Sequence, residues 1–139
     1  MTQTDTTIGF VSQNADRLTT LKQRPPYKHY IKALPSLQQL TSFVRVPQKQ
    51  KNLLRRAKQT TFIFPSGDSY RIIKERRHLL LIQKLGWVYT TSANLSGEEF
   101  DEKFASDGAD VIIGYPNHKE NNSASTVLKI NSVRERRLR

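Results

Sequence analysis

Apolar residues along this chain recur at two spacings, which divide the sequence into short helices and short strands. Leu18 and Leu21 follow Asn14 at helical spacing, and a similar pattern follows Ser36. Asparagine and serine are favoured residues at helix starts, and Gly86 is a typical helix end. We therefore predict helices within residues 14–22, 36–44, 51–58, 75–84 and 100–104.

Runs of β-branched and aromatic residues predict the strands. They lie at residues 30–34, 60–64, 69–73, 87–91, 111–113 and 126–130, and residues 4–10 read as a strand end followed by a loop. A PSGD turn predicts a hairpin between the second and third runs, and the polar residues 114–122 predict a loop. Strands do not alternate strictly with long helices, so we predict an α+β fold in which helices flank a mixed, twisted sheet.

Composition narrows the class of protein. A chain of 139 residues, 36% of them hydrophobic, suits a single domain over residues 1–139 with a basic tail at 134–139. The absence of cysteine excludes disulfides and thiolate metal or redox sites. The longest apolar run covers only residues 79–82, and the polar start of the chain lacks the apolar core of a signal peptide. We expect a soluble, cytoplasmic protein with no membrane partner.

Charge indicates a polyanionic partner. Lys and Arg number 23 against 12 Asp and Glu, which gives a formal net charge of +11. A field of this sign attracts nucleotides and nucleic acid. A solvated basic surface explains the same numbers, so charge alone does not separate a nucleotide enzyme from an RNA-binding module.

Two polar motifs are suited to binding phosphate. Residues 90–97 read TTSANLSG after a predicted strand, so that backbone N–H groups, Ser92 and Asn94 can point at phosphate oxygens. Lys22 and Arg24 stand two residues apart and can neutralise a polyphosphate from one side. A solvated end of a helix explains the two cations as well.

Polar residues within predicted strands are the other candidates. Arg71 stands among apolar residues, where its charge is costly unless it meets an anion. Thr6 lies near Gly9, where hydroxyl groups and closely approaching backbone can bind a small polar ligand. A structural role explains the threonines of residues 4–10 more often than a ligand does.

Five motifs, in order along residues 4–127, resemble the signatures of the YrdC-like family. They are TDTTIGF at 4–10, KQRP at 22–25, TTFIFP at 60–65, TTSANLSG at 90–97 and STV at 125–127. Enzymes of this family make threonylcarbamoyl-AMP from L-threonine, bicarbonate and ATP, for the N6-threonylcarbamoyladenosine (t6A) modification of tRNA. The resemblance implies a YrdC-like fold and a nucleotidyltransferase that uses Mg²⁺ bound to ATP.

The resemblance also implies roles for single residues. The phosphates are expected to be stabilised during catalysis by Lys22 and Arg24. Threonine is expected to be bound by Thr6, Arg71, Thr90 and Ser125, and the nucleotide by Arg24, Lys28, Thr61, Ser92 and Asn94. An arginine of residues 134–139 is expected over ATP, and no metal ligand is assigned to the protein. The product is expected to pass to the proteins that transfer it to tRNA, or the chain to bind tRNA itself.

Three departures from the family pattern keep two rival interpretations open. Gln3 replaces a proline, KERRH at residues 74–78 replaces an Asp-His-Pro element, and only three residues precede Thr4 where relatives have a further strand and helix. Either the natural start lies upstream or the sheet lacks its first strand. The histidines His29, His78 and His118 have no evident partners, so no histidine-activated nucleophile is expected. The rivals are a non-catalytic RNA-binding module, although RRM-type stacking aromatics are not evident, and a degenerate relative that binds nucleotide without turnover.

Overall fold

The computed structural model describes residues 1–25, 27–114 and 124–139. The strands in these residues are β1 Thr2–Gln3, β2 Ile8–Ser12, β3 Ile31–Leu34, β4 Thr60–Ile63, β5 Ser69–Ile72, β6 Val88–Ser92, β7 Thr126–Ile130 and β8 Glu135–Arg137. All eight join one sheet in the order β1-β2-β6-β3-β5-β4-β7-β8. The pairs β3–β5 and β4–β7 are parallel and the others antiparallel. The predicted mixed sheet and the β4–β5 hairpin are confirmed.

Four of the five α-helices in the described residues follow a residue whose side chain accepts a hydrogen bond from the first turn. The helices are α1 Ala15–Lys22, α2 Leu37–Phe43, α3 Lys51–Arg56, α4 Arg76–Leu85 and α5 Glu102–Asp107, and a 3-10 turn at Gln48–Gln50 leads into α3. The Asn14 side chain accepts from the Arg17 N–H at 3.0 Å, and the Ser36 hydroxyl accepts from the Gln39 N–H at 3.1 Å. None of the helices in the described residues combines the length and apolar character that a bilayer crossing requires.

Strand pairing separates the two faces of the sheet. Lys32 of β3 lies beside Tyr89 of β6 and Tyr70 of β5. Because successive side chains point to opposite faces, these three share one face, here called the aromatic face. Thr90 and Arg71, the next residues along β6 and β5, share the other face, here called the site face.

Helices cover both faces. On the aromatic face, α2 and α3 enclose the largest buried cluster, which includes Leu40, Leu54 and Phe62. On the site face, Ile82 of α4 packs with Val88 of β6 in a smaller cluster. The site face is therefore packed by α4 at one end, and its polar side chains gather at the other.

Three predicted elements differ from the structure. Residues 134–139, expected as a tail, contain edge strand β8, whose backbone pairs with β7 while the side chains of Arg136 and Arg137 are exposed. Residues 111–113 contribute only a bridge from Ile113 to Thr2. Residues 4–10 were expected to be a strand end and a loop, but residues 8–10 begin strand β2, which pairs with β6, and short β1 occupies the neighbouring edge position. Most of the loop predicted at residues 114–122 lies outside the described residues.

Candidate active site

A cavity of about 390 Å³ opens on the site face. Its lining includes seven serine and threonine hydroxyls, on Thr4, Thr6, Thr7, Thr90, Thr91, Ser92 and Ser125, and three arginines, Arg24, Arg71 and Arg139. No Asp or Glu side chain belongs to this lining in the part of the chain that the structure describes. Hydroxyl groups and guanidinium groups without an acidic side chain beside them favour an anionic, hydrogen-bonding ligand.

Arg71 is the most constrained cation of the cavity. Its guanidinium donates from Nη1 to Asp5 Oδ1 at 3.0 Å and to Thr6 Oγ1 at 3.2 Å. From Nε and Nη2 it donates to Thr61 Oγ1 at 3.1 and 2.9 Å. Four of its five N–H groups are thus used, and one Nη2 N–H has no acceptor among the described residues. Within the chain the anion that this strand arginine meets is Asp5, and the assignment of Arg71 to the threonine carboxylate stays a prediction.

Asp5 supplies the buried counter-charge, with only 3% of its surface exposed. Burial raises the pKa of its carboxyl group, but contact with His78 and the charge of Arg71 outweigh burial and hold the pKa below the ordinary value. Asp5 therefore stays ionised beside Arg71. Asp5 was not predicted as a site residue, although Asp5 stands inside the TDT motif next to Thr6.

Lys22 holds the loop that follows β6. It ends α1, is almost fully buried, and donates from Nζ to the Ser92 backbone oxygen at 2.7 Å and to Asn94 Oδ1 at 3.2 Å. It also donates to the Asn94 backbone oxygen. Burial, and to a smaller extent the charge of Arg24, lowers the pKa of Lys22 to about 8. Lys22 does not belong to the cavity lining, so the structure places it beneath the loop rather than facing the cavity.

Arg24 reaches the cavity from the segment after α1. It donates from Nε to the Lys28 backbone oxygen at 3.2 Å and from Nη2 to the His29 backbone oxygen at 3.0 Å. Its guanidinium also stacks 4.7 Å from the centre of the Tyr30 ring. These contacts fix a partly exposed positive charge at the mouth of the cavity.

Ser125 and Arg139 close the opposite wall. Arg139 donates from Nε to the Ser125 backbone oxygen at 3.0 Å and from Nη2 to Ser125 Oγ at 3.2 Å. Ser125 Oγ also lies 3.4 Å from Thr61 Oγ1, the hydroxyl that holds Arg71. The wall and Arg71 therefore belong to one hydrogen-bonded group.

The structure brings most of the predicted site residues together. Thr6, Arg24, Arg71, Thr90, Ser92 and Ser125 line the cavity, and Thr61, Lys22 and Asn94 support them from behind. Lys28 is an exception, because it lines a second cavity of about 410 Å³ together with Lys32 and Tyr89 of the aromatic face. Within the described residues no cluster of His, Asp or Glu could hold a metal ion.

The histidine expectations need one correction. His78 was expected to lack a partner, but it is fully buried and its Nδ1 accepts from the Asp5 backbone N–H at 3.2 Å. The sequence does not indicate this contact, because 73 residues separate His78 from Asp5. His29 borders the cavity, and His118 lies outside the described residues.

Two solved structures share this fold over nearly the whole chain. The crystal structure of P. abyssi Sua5 complexed with L-threonine superposes with a TM-score of 0.79 at 20% identity, covering 99% of this chain and 48% of that one. The solution structure of MTH1692 from Methanobacterium thermoautotrophicum gives 0.67 at 21% identity, covering 98% and 76%. Likeness at such identities establishes the fold.

Sequence comparison identifies the family. "Uncharacterized protein MG259 homolog" of Mycoplasma pneumoniae is 38% identical over 96 residues, and "Uncharacterized protein MG259" of Mycoplasma genitalium is 31% identical over 97 residues. These matches cover 66% and 69% of this chain but only 19% and 20% of the relatives' length. The family model for Sua5, YciO and YrdC proteins, described as "Telomere recombination", matches residues 3–139. The chain therefore belongs to the Sua5/YciO/YrdC family.

Proposed function

We propose that this chain is an L-threonylcarbamoyladenylate synthase that acts in t6A biosynthesis. In the proposed reaction the amino group of L-threonine takes up bicarbonate carbon as a carbamate and releases water. A carbamate oxygen then attacks the α-phosphorus of ATP, and the bond to the β,γ-phosphates breaks to release pyrophosphate. Family membership and the fold shared with threonine-complexed Sua5 support this proposal.

The single observation that carries the proposal is the uncommitted N–H of Arg71. Four of the arginine's donors are fixed by Asp5, Thr6 and Thr61, so the guanidinium is held in one orientation in the cavity lining with one donor left. A fixed guanidinium N–H beside threonine hydroxyls suits a carboxylate that carries a small polar side chain. We assign the threonine subsite to Arg71, Thr6, Thr90 and Ser125.

The nucleotide subsite is assigned to the walls that flank Arg71. Arg24 presents a positive charge on one side, and Arg139 does so on the other. Between them lies the loop held by Lys22, and its Ser92 hydroxyl, which donates to Asn94 Oδ1, is proposed to turn to a phosphate oxygen when ATP binds. Such cations stabilise charge that builds on the phosphates as pyrophosphate leaves.

Lys22 has a positioning role in this proposal. Its ammonium is occupied by oxygens of Ser92 and Asn94, so it acts on the phosphates through the loop that it fixes. Lys28 is no longer assigned to the nucleotide, because it lines the other cavity. Since the described lining has no Asp or Glu side chain, Mg²⁺ is proposed to arrive with ATP and to be held by phosphates and water.

The proposed partners follow from the reaction. The mixed anhydride product is reactive and must pass to proteins that transfer the threonylcarbamoyl group to tRNA adenosine. A net charge of +11 is suited to an encounter with tRNA or with a tRNA-bound complex. Tyr70 of the aromatic face is only 5% exposed, which speaks against an RRM-type stacking platform as the main function.

Pyrophosphate release tests the proposal. Purified protein with L-threonine, bicarbonate and Mg-ATP should release pyrophosphate only when threonine is present.

Thr90→Val removes a cavity hydroxyl at nearly constant volume and should raise the KM for threonine by about tenfold, as expected for one hydrogen bond. Thr41→Val, on the exposed surface of α2, is the matched control and should leave KM unchanged. Pyrophosphate release that does not depend on threonine contradicts the proposal, and ATP binding without turnover identifies a degenerate relative.

A further inference from the structure

We propose that His78 is a positioning residue of the threonine subsite, which fixes Arg71 through Asp5. This inference rests on the proposed function for its ligand but on the geometry of the chain for its mechanism. His78 lies in α4, outside the cavity lining. It stands in the segment where the sequence departs from the family's Asp-His-Pro element.

The orientation of the His78 ring is defined by what it accepts. Its Nδ1 lies 3.2 Å from the Asp5 backbone nitrogen, so this ring atom carries no proton and acts as acceptor. The 3.7 Å separation between Nδ1 and Asp5 Oδ1 is too long for a hydrogen bond. The ring is fully buried and sits in the first turn of α4, whose N-cap Glu75 accepts from the His78 N–H at 2.7 Å. A rigid helix end therefore presents one acceptor to the Asp5 peptide.

The backbone around Asp5 needs this acceptor. Thr4 Oγ1 accepts the N–H groups of Thr6 and Thr7 at 3.3 and 3.2 Å, which folds residues 4–7 into a tight turn. The Asp5 N–H points out of this turn to His78, and the Asp5 carbonyl accepts from Gln59 Nε2 on the other side. Both ends of the Asp5 residue are thus held by side chains from distant segments.

Arg71 receives its orientation from Asp5. The Oδ1–Nη1 contact of 3.0 Å and the flanking Thr6 and Thr61 contacts leave one guanidinium N–H for the ligand. Rotation of the Asp5 residue would move Oδ1 and turn that N–H away from the cavity. Loss of a hydrogen bond between a charged guanidinium and a carboxylate costs about 10- to 100-fold in affinity. His78 therefore controls threonine binding without contacting threonine.

Three substitutions separate positioning from simple core packing. His78→Asn places an amide oxygen near the position of Nδ1, whereas His78→Gln places its oxygen farther out and His78→Leu has no acceptor. We expect the dissociation constant for threonine to rise by about 10- to 100-fold in His78→Leu and His78→Gln, and by less than about threefold in His78→Asn. The affinity for ATP should change less than about twofold in all three.

A second readout does not need a ligand. The hydrogen-exchange rate of the Arg71 Nε–H group, followed by NMR, should rise at least about tenfold in His78→Leu and His78→Gln and stay near wild type in His78→Asn.

Equal exchange rates and equal threonine affinities across the series would overturn the inference. The inference would also be overturned if threonine affinity fell only in proportion to the free energy of unfolding, with His78→Asn binding threonine as weakly as His78→Gln. If wild-type protein binds no threonine, the proposed function fails, and the exchange rates still decide whether His78 positions Arg71. If His78→Leu does not fold, the Asn and Gln variants carry the comparison.

Discussion

The Lys22 ammonium donates to the Ser92 backbone oxygen at 2.7 Å and so joins the end of α1 to the loop that follows β6. These two residues lie 70 positions apart along the chain and belong to the KQRP and TTSANLSG motifs. The contact makes the two motifs one unit, with Lys22 beneath the loop and Arg24 at the mouth of the cavity. A change at Lys22 should therefore act first on the loop.

Lys22→Met tests this relationship through stability. The variant keeps the apolar stem but loses donors to the oxygens of Ser92 and Asn94, and we expect the free energy of unfolding to fall by about 1–3 kcal/mol at pH 7. In the wild type the pKa of Lys22 is lowered from 10.5 to about 8, so the unfolded chain binds more protons than the folded one between these values. Wild-type stability relative to Lys22→Met should then rise as the pH goes from 8 to 10.5.

Urea unfolding of both proteins at pH 7.5 and pH 10 measures this difference. Lys84→Met is a suitable control, because Lys84 lies exposed near the end of α4. A gap between wild type and Lys22→Met that narrows with rising pH would contradict the lowered pKa of Lys22, because it would mean that the hydrogen bonds of the ammonium outweigh its burial.

Asp5→Asn tests the buried pair with Arg71. Removal of the charge leaves a buried guanidinium without its counter-ion, and we expect a loss of about 3–5 kcal/mol in the free energy of unfolding at pH 7. The pKa of Asp5 is lowered below 3.8, so its stabilising contribution is present above pH 3.8 and is lost as the pH falls through the lowered value. The difference between wild type and variant should shrink accordingly in strong acid.

Unfolding by guanidinium chloride, repeated from pH 7 down to pH 2, measures the difference in stability between wild type and Asp5→Asn. Asp16→Asn, at an exposed position of α1, should differ from wild type by less than about 1 kcal/mol. A loss as small in Asp5→Asn as in this control would show that Arg71 does not depend on Asp5.

Lys32 is held by aromatic rings on the other face of the sheet. Its ammonium lies 4.2 Å from the Phe43 ring centre and 4.6 Å from that of Trp87, the only tryptophan of the chain. Burial lowers the pKa of Lys32 from 10.5, against an opposing effect of Asp68. The fluorescence of Trp87 should therefore report loss of the Lys32 proton, with a midpoint below pH 10.5.

A pH titration of fluorescence checks this expectation. The transition should be absent in Lys32→Met, which keeps the stem and lacks the charge, and should move to lower pH in Asp68→Asn. A transition that is unchanged in Lys32→Met would come from tyrosines and would remove Lys32 from this interpretation.

The sequence predicted most of the helices and strands because their local signals agree. Asn14 and Ser36 cap the helices that follow them, and the β-branched run at residues 60–63 forms β4. Strand β8 was missed because edge pairing depends on backbone groups of β7, which the arginine-rich residues 134–139 do not reveal.

Site residues could be predicted where the type of a single residue and its immediate neighbours indicate a chemical role. A strand arginine must meet an anion, so Arg71 could be recognised, but its partner Asp5 lies 66 residues away and only the fold joins them. The resemblance assigned Lys22 to the phosphates in catalysis and Lys28 to nucleotide binding. Burial separates them, because Lys22 is enclosed under the loop and Lys28 is exposed beside the other cavity. Distance in the sequence, rather than unusual chemistry, hid the supporting residues.

Incorporation of labelled bicarbonate tests the central claim most directly. Wild-type protein with L-threonine, Mg-ATP and ¹³C-bicarbonate should yield, by mass spectrometry, a threonylcarbamoyl adenylate that carries one ¹³C atom, together with one pyrophosphate per adenylate. Omission of threonine should abolish both products, and Arg71→Met should reduce both by at least about 100-fold. Absence of the labelled adenylate from wild-type protein that is folded and binds ATP would contradict the proposed synthase activity.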